Sequence, residues 1–519
     1  MIARTLARLR NFGQGLWVDT SGVILPYVTI ILAVIVGTSV LALDGGRATS
    51  LQSQLQKGAD ALAIAGAAEL DRLPNSTTRA VAAINNLVTN SSVFGTGGAA
   101  NVSVSAINFR TVLPADNASL SAPLCSGLGC TAEQSVFVRF IEVVVTPTTI
   151  PTILPAAFFG GTTTNSITAG AAAVAGMNQT VCKFTPMFIC NPFENPDGSM
   201  SYGQASEALF NNVGTPAMRR RLIQMRQGGG GGSYTPGNYG FLVSPSIGNG
   251  ASALRDAIAM VNPPACFGQN GVETETGFIA SVRAAFNVRF DVYEGSMNGV
   301  RNDPNFRPAM NTRKGWSYTG GNACNAAPNP DTARFRQLPQ DTCFNTDTCP
   351  NMGGRMGDGN WDFDGYWTTN HTVAGGGLQA KPTVNGAPAS NANLPNRYDV
   401  YRYEIAQGAS FITNLSGRGA MPPPANGETG APMCSASATN DTPDRRIFYA
   451  AIVNCKANLP PSLPLSGGNN NGVPVAAFGK FFITEPVKAA QDEIRAELLE
   501  LVTPGNTNGV NFDQVQLYR

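Results

Sequence analysis

The feature that most constrains this chain is an uncharged apolar stretch near its N-terminus, residues 22–43, with the sequence GVILPYVTIILAVIVGTSVLAL. At about 1.5 Å per residue, a helix of this length crosses the hydrocarbon core of a bilayer, which is about 30 Å thick. The stretch therefore predicts a membrane-spanning helix. A cleaved secretory signal is the alternative, because Val40, Leu41 and Ala42 fit a peptidase site. The apolar stretch is, however, longer than the about 7–15 residues usual in the core of a signal.

The helical pattern continues past the span, so residues 44–72 are predicted to form a helical stem outside the membrane. Apolar and small side chains recur there at alternating steps of four and three and form one stripe of the helix. The stripe comprises Leu51, Leu55, Gly58, Leu62 and Ala65. Two neighbours fit such a stripe: a helix of a partner protein, or a small sheet of the same chain.

The order of residues around the span resembles a known family. The span ends in Leu43-Asp44-Gly45-Gly46-Arg47, and the stem contains residues 55–67, LQKGADALAIAGA. This order resembles the N-terminal module of the TadE/TadG-like proteins of bacterial tight-adherence (Flp) pilus systems, although Gly58 and Leu62 stand where alanines are usual. The resemblance implies a membrane-anchored envelope protein without enzymatic activity. Such a protein would be a structural or scaffold component of Flp pilus assembly or surface adhesion.

Charge placement predicts the orientation of the chain in the membrane. Arg4, Arg8 and Arg10 precede the span, so the positive-inside rule places residues 1–21 in the cytoplasm. The remainder of the chain is then exported, which in a bacterium places a single-pass protein in the inner membrane with its bulk in the periplasm.

All cysteines of the chain lie on the exported side of the span. They are Cys125, Cys130, Cys182, Cys190, Cys266, Cys324, Cys343, Cys349, Cys434 and Cys455. An even number confined to an oxidising compartment indicates disulfides. Local spacing favours the pairs Cys125–Cys130, Cys182–Cys190 and Cys343–Cys349, and longer crossings stay open.

The exported chain predicts an α+β fold in two parts: a small domain at 73–180 and a cysteine-containing domain with long loop insertions at 181–519. In the small domain, residues 135–146 are rich in β-branched and aromatic side chains, which predicts a strand. A small sheet of such strands packed on the stem would cover the stripe of the helix.

The second exported domain combines strand and helix patterns near its C-terminal end. Residues 446–455 and 473–484 predict buried strands. Residues 488–501 have the apolar spacing of an amphipathic helix, with charged side chains beside the apolar face. Residues 510–518 predict a last strand that closes the sheet of this domain.

The sharpest local motif is GDGNWDFDG at residues 357–365. Oxygen-bearing side chains alternate at Asp358, Asn360, Asp362 and Asp364, as in calcium loops. The match is incomplete, because no register supplies both the glycine and the bidentate glutamate of such a loop. A turn whose side chains bond their own backbone is the alternative. Calcium at these four residues is the only cofactor that the sequence suggests.

Other functional classes find little support. The formal net charge of +1 provides no field for nucleic acid, so the expected partners are other pilus-assembly or inner-membrane proteins, bound through the N-terminal helix, and the membrane. The single histidine, His371, is not accompanied by a Gly-x-Ser-x-Gly elbow, so no catalytic site is predicted. Two alternatives stay open: a minor pseudopilin cleaved after Gly22, and a membrane-anchored exported hydrolase.

Overall fold

A computed structural model describes most of the chain. The described residues are 24–87, 91–95, 98–114, 118–153, 165–228, 234–244, 246–247, 250–268, 271–275, 281–313, 324, 336–373, 375–408, 411, 434–436, 444–457, 464–465, 470–488, 493–502 and 511–518.

The elements alternate between helices and strands along these residues. The α-helices are α1 Ile24–Ala67, α2 Ser76–Leu87, α3 Ala132–Ser135, α4 Tyr202–Asn212, α5 Pro216–Arg219, α6 Ala251–Ala259, α7 Val282–Asn287, α8 Thr342–Asn345, α9 Phe363–His371 and α10 Arg397–Gln407. The strands are β1 Ser91–Gly95, β2 Gly98–Asn101, β3 Val104–Arg110, β4 Cys125–Ser126, β5 Phe140–Val145, β6 Thr148–Pro151, β7 Ser166–Ala169, β8 Ala172–Cys182, β9 Met187–Cys190, β10 Leu222–Gln227, β11 Asn238–Leu242, β12 Cys266–Gly268, β13 Thr274–Glu275, β14 Thr383–Val384, β15 Ala387–Pro388, β16 Ile447–Val453, β17 Ala477–Ile483, β18 Ile494–Val502 and β19 Asn511–Leu517.

Helix α1 is one uninterrupted element of 44 residues that contains residues 24–43 of the predicted span and most of the predicted stem. It is long and apolar enough to cross a membrane. Its first half exposes large apolar side chains such as Leu32, Ile35 and Leu41, whereas Leu51 and Leu55 in its second half are buried. The helix therefore changes from a surface suited to lipid to a surface suited to a protein core.

The buried half of α1 lies on an antiparallel sheet of strand order β12-β8-β5-β3-β4, with β19 on the other side of β8. Strand β5 alternates buried and half-buried side chains, and Ile141, Val143 and Val145 pack in one cluster with the helix. This arrangement is the small sheet on a stem helix that the sequence predicts.

The second sheet has the strand order β10-β18-β17-β16-β9-β11-β13. A further pairing of β10 with β11 closes six of these strands into a ring. The largest apolar cluster of the described residues contains side chains of this sheet, and a third cluster around Trp361, Phe363 and Trp367 packs on Phe482 and Leu499. The helix, the two sheets and the disulfides confirm the predicted α+β fold class.

The helix predicted at 488–501 is wrong, because residues 494–502 form strand β18. Ile494, Ala496 and Leu498 lie in the main core, and Leu499 packs in the third cluster. Glu497, which looks like a solvent-facing helix residue in the sequence, is fully buried and paired with an arginine. Both faces of the strand are therefore covered, and the charge marks a buried ion pair.

The last predicted strand forms, but in a different sheet from the one expected. Strand β19 pairs with β8 of the first sheet over seven register positions from Asn511↔Val181 to Leu517↔Ala175. Strand β12 also pairs with β8. The domain boundary at residue 180 stays a prediction, and two strands from beyond it belong to the first sheet.

Candidate functional site

The candidate site is the point where α1 leaves its lipid-suited half, at the Asp44 to Arg47 motif. Asp44 is the first charged residue after the apolar stretch and is only 5% exposed. The backbone N–H of Ile153 donates to both carboxylate oxygens of Asp44, at 3.0 Å each. A buried carboxylate needs such donors because desolvation without them is costly.

Arg47 completes the attachment one turn further along α1. Its Nη1 lies 3.4 Å from Asp44 Oδ1 and donates to the carbonyl of Pro151 at 3.2 Å. Pro151 ends strand β6, which forms a hairpin with β7. Asp44 and Arg47 together therefore fasten one end of this hairpin, named here the exit hairpin (β6, β7 and the flanking residues Thr152 and Ile153), to the helix.

Two glutamines extend the attachment up the stem. The side-chain amide of Gln52 donates to the carbonyl of Gly170 at 2.8 Å, and that of Gln56 donates to the carbonyl of Ala172 at 3.1 Å. These carbonyls lie where β7 runs into β8. The helix and the sheet are thus joined by polar contacts at the edge as well as by the apolar core.

The stripe predicted as a partner-docking surface is covered by the chain itself. Leu51, Leu55 and Leu62 are fully or almost fully buried in the core that α1 shares with the sheet. A Cβ on Gly58 would lie 3.2 Å from the side chain of Val102, so this position holds the close approach of a neighbour in the same chain. Ala65 is half-buried. The proposed docking role of the stripe is therefore corrected: its neighbour is the chain's own sheet.

The side of α1 turned away from the sheet is exposed at several positions. Thr49, Ser53 and Lys57 are exposed there, and Ile64 is 43% exposed. A partner that binds the stem would contact this face.

The calcium-like motif forms a turn and the start of helix α9. Asp358 accepts hydrogen bonds from the backbone N–H and the side-chain amide of Asn360, at 3.1 and 2.9 Å. Asp362 accepts from the backbone N–H of Gly365 at 3.0 Å and so caps α9. These local bonds are those expected if the motif is a turn whose side chains bond their own backbone and not a calcium loop.

Two carboxylates of the same motif, those of Asp362 and Asp364, form ion pairs with cationic side chains. Arg336 lies 2.8 Å from Asp362, and Lys381 lies 2.6 Å from Asp364. Asp364 also accepts from the backbone N–H of Asn391 at 2.9 Å. A calcium ion would have to displace both cations, so calcium binding stays a prediction without support from this geometry.

A buried ion-pair network that sequence analysis missed fixes this loop to the second sheet. Arg397 pairs with Asp341 at 2.5 Å and with Glu497 at 2.9 Å, and all three side chains are inaccessible to solvent. Asp341 also accepts from the backbone N–H of Gly359 at 2.7 Å. Burial raises the pKa values of Asp341 and Glu497, and Arg397 opposes that rise. No sequence spacing connects these residues, so no signal could have grouped them.

His371 lies inside the third cluster and does not face a cleft. Its Nε2 is 2.8 Å from Glu404 Oε1, and its ring stacks on Trp367 with 3.9 Å between centroids. Burial would raise the pKa of Glu404, but Arg313, His371 and a Tyr366 hydroxyl outweigh burial and hold it at about 2. His371 and Glu404 therefore belong to a buried network of ion pairs and hydrogen bonds with a structural role.

All ten cysteines form disulfides. The pairs are Cys125–Cys130, Cys182–Cys266, Cys190–Cys455, Cys324–Cys434 and Cys343–Cys349. Two of the locally spaced pairs are therefore as predicted.

The predicted pair Cys182–Cys190 is wrong because strand register brings other partners closer. Cys182 ends β8 directly opposite Cys266 on β12. Cys190 ends β9, whose parallel neighbour β16 places Val453 beside it, two residues before Cys455. Long-range pairing of strands thus decides the connectivity.

Within the described part of the chain, one cluster has the spacing of a metal site: Cys190, Glu194 and Cys455. The two sulfurs form a disulfide and therefore do not offer thiolates. Glu194 accepts from the backbone N–H of Lys456 at 3.0 Å, and burial raises its pKa to about 8. This cluster is a buried carboxyl group, whose pKa is raised by burial, beside a disulfide.

Comparison with known proteins identifies the N-terminal part of the chain. Residues 22–69 match a family described as putative Flp pilus-assembly TadE/G-like, which confirms the resemblance. The match contains the apolar stretch, the Asp44 to Arg47 exit and the stem. The cleavage position after Gly22, which the pseudopilin alternative requires, and the segment 1–21 lie outside the described residues. No curated protein and no solved structure matches this chain.

Proposed function

We propose that this chain, which carries a TadE/G-like Flp pilus-assembly domain, is a structural scaffold of that assembly. It would be anchored by one membrane span and would hold a disulfide-braced exported unit at a fixed height above the membrane. Such a protein positions partners and needs no catalytic group.

The observation that carries this proposal is the unbroken path from the lipid-suited half of α1 to the exported sheet. The same helix continues through Asp44 and Arg47, and both residues bond the exit hairpin. A flexible tether would interrupt the helix at this point, whereas α1 stays helical through Gly45 and Gly46. A continuous helix with side-chain contacts on the hairpin instead transmits the orientation of the span to the exported unit.

The proposed location is the bacterial inner membrane, with residues 1–21 in the cytoplasm and the sheets in the periplasm. The arginines before the span support this orientation. The complete pairing of cysteines after the span supports an oxidising compartment for everything beyond α1.

The proposed partners are other proteins of the pilus-assembly machinery in the inner membrane. They would bind the exposed side of α1, along Thr49, Ser53, Lys57 and Ile64. This side belongs to the same uninterrupted helix as the lipid-suited half, so one partner helix could contact both parts of α1. Its mixed small, polar and apolar character suits a reversible contact.

Neither alternative function is favoured by a specific observation. A groove of about 490 Å³ lies between Leu73 and the end of α4, but its described lining contains no serine, cysteine or histidine that could act as a nucleophile or base. Its acidic residue, Glu500, pairs with Lys480 at 3.0 Å. A hydrolase would need a nucleophile or a general base in such a groove. The pseudopilin alternative depends on cleavage after Gly22.

The decisive experiment deletes the chain from its host and restores it as wild type or as a variant with Asp44→Ala and Arg47→Ala together. We expect no surface pili in the deletion strain. With the variant we expect fewer pili at an equal amount of protein in the membrane fraction. Normal piliation of the deletion strain would refute a role in assembly.

Intact mass and N-terminal sequence of the restored protein separate the scaffold from the pseudopilin. A start at Met1 fits the scaffold. A start at Val23 would move the protein into the fibre.

A further inference from the structure

We propose that the exit hairpin is a second membrane contact: its end at Pro151 to Ile153 rests on the lipid headgroup region beside the span. The proposal rests on the membrane anchoring in the proposed function, and it adds a lipid-binding surface to the exported unit.

The position of the hairpin end follows from its bonds to α1. Ile153 is bonded to Asp44 and Pro151 to Arg47. Leu41 and Leu43, immediately before Asp44, are 57% and 59% exposed, as expected of side chains that face lipid. The hairpin end is therefore level with the boundary between hydrocarbon and headgroups, where the apolar surface of the span stops.

The side chain of Ile153, which lies at this level, is apolar and exposed. Ile153 is 55% exposed. No charged residue occurs between Glu142 and Lys183, although charged residues make up 13% of the chain. The hairpin thus lies in a charge-free segment, which is the composition that a surface in contact with a bilayer interface requires.

Three backbone groups of the hairpin end are hydrogen-bonded within the protein. Arg47 donates to the Pro151 carbonyl, the Thr152 N–H donates to Asn165 at 3.0 Å, and the Ile153 N–H donates to Asp44. Backbone groups that leave water for a lipid interface must be bonded internally, because lipid tails offer no partners. Asp44 and Arg47 therefore serve two purposes: they fasten the hairpin and they make its end compatible with lipid.

A lipid surface explains this arrangement better than a protein partner does. The exposed side chain of Ile153 belongs to a residue bonded to Asp44, directly after the exposed Leu41 and Leu43 of the span, which is itself suited to lipid. The exposed apolar side chain of Val112 lies towards the opposite end of the first sheet. Val112, 66% exposed, follows the end of β3 that pairs with Phe140, whereas the other end of β3 pairs with Val145 towards the exit hairpin.

The test places a nitroxide spin label at single positions of the full chain in phospholipid nanodiscs. The variants are Ile153→Cys at the hairpin end, Ile35→Cys in the span and Val112→Cys as the matched exposed control. Each native cysteine is in a disulfide, so the introduced thiol is labelled selectively. Collision with oxygen, which concentrates in lipid, is compared with collision with a water-soluble nickel chelate.

We expect the label at position 35 to favour oxygen strongly over the chelate, the label at 112 to favour the chelate, and the label at 153, at the level of the headgroups, to lie between the two. A label at 153 that behaves as the label at 112 does, with position 35 still in lipid, would overturn the hairpin contact and leave the anchor intact. Aqueous behaviour at position 35 would instead refute the anchor itself.

Replacing the side chain of residue 153 leaves its bond to Asp44 in place, because the backbone N–H makes that bond. A second variant, Ile153→Asp, provides an independent readout on vesicles. We expect a label at Thr152→Cys to become more accessible to the chelate when Ile153→Asp is added. Unchanged accessibility would count against the proposal.

Discussion

Asp44 and Ile153 are joined by two hydrogen bonds of 3.0 Å although they lie 109 positions apart in the chain. These bonds connect the first charged residue after the apolar span to the end of the two-stranded exit hairpin. Asp44 lies within residues 22–69, which match the TadE/G-like family. The structure thus gives this residue a physical role, which is to fix the exit hairpin to α1.

Replacing Asp44 by alanine should loosen the exit hairpin. Loss of the carboxylate leaves the Ile153 N–H without its acceptor, a cost of about 1–3 kcal/mol for a buried group. We therefore expect amide hydrogen exchange at Ile153 to accelerate by about tenfold or more in the variant. The matched control is Asp60→Ala on the same helix, which removes a contact with Gln56 and not with the hairpin. Equal acceleration in both variants would contradict the assignment.

The N-terminal half of the fold could be predicted because its signals are local. Each of these signals lies within a single helix or strand. They are the apolar stretch, the stripe of Leu51, Leu55 and Leu62, and the β-branched run. The burial of the stripe against a sheet followed from the same reasoning. Whether the stripe packs on a small sheet of this chain or on a helix of a partner protein could not be decided from the pattern alone.

The second half could not be predicted at the same level because its determinants are distant in sequence. Glu497 has the periodicity of an exposed helix residue, and only Arg397, 100 positions earlier, turns it into part of a buried pair in a strand. The partner of Cys190 lies 265 positions away and is set by the parallel pairing of β9 with β16. Sequence spacing carries no information about either contact.

The contact between the two sheet-bearing parts should be sensitive to a single methyl group. Gly203 on α4 faces α3, and a Cβ there would lie 2.8 Å from the backbone Cα of Glu133. We expect Gly203→Ala to lower the midpoint of thermal unfolding, since overpacking costs about 1–3 kcal/mol. The control Gly45→Ala adds its methyl group to open space and should be neutral or stabilising by up to about 1 kcal/mol. A loss at Gly45 as large as at Gly203 would show that the loss at Gly203 does not arise from the contact with α3.

The disulfides should contribute unequally to stability. The chain-entropy model gives about 5 kcal/mol for a loop as long as that of Cys190–Cys455 and about 2 kcal/mol for one as short as that of Cys343–Cys349. We expect the double alanine variant of the long-range pair to unfold at a clearly lower denaturant concentration than that of the short-range pair. Similar midpoints would indicate that the long loop is already restrained in the unfolded chain.

Calcium should not bind the motif at residues 358–364 with measurable affinity. Arg336 and Lys381 already neutralise Asp362 and Asp364, and a bound ion would leave both cations unpaired. Calorimetric titration of the detergent-solubilised chain is expected to show only heat of dilution. Saturable heat that disappears in the variant Asp364→Asn would contradict this expectation and restore the calcium interpretation.

The carboxyl group of Glu194 should make the stability of the exported unit depend on pH in a recognisable direction. Burial raises its pKa from 4.5 to about 8, so the folded state retains a proton that the unfolded chain loses. The contribution of this group to stability is therefore present below pH 4.5 and is lost as the pH rises towards 8.

Glu194→Gln removes this dependence and preserves an oxygen that can accept from the Lys456 N–H. We expect the variant to gain thermal stability over the wild type as the pH rises from about 5 to about 8, by at least about 1 kcal/mol, with the two proteins closest at the acidic end. Other titrating groups cancel in this comparison because both proteins contain them. A difference that is constant across this pH range would show that Glu194 is ionised in the folded protein and that its burial is tolerated in another way.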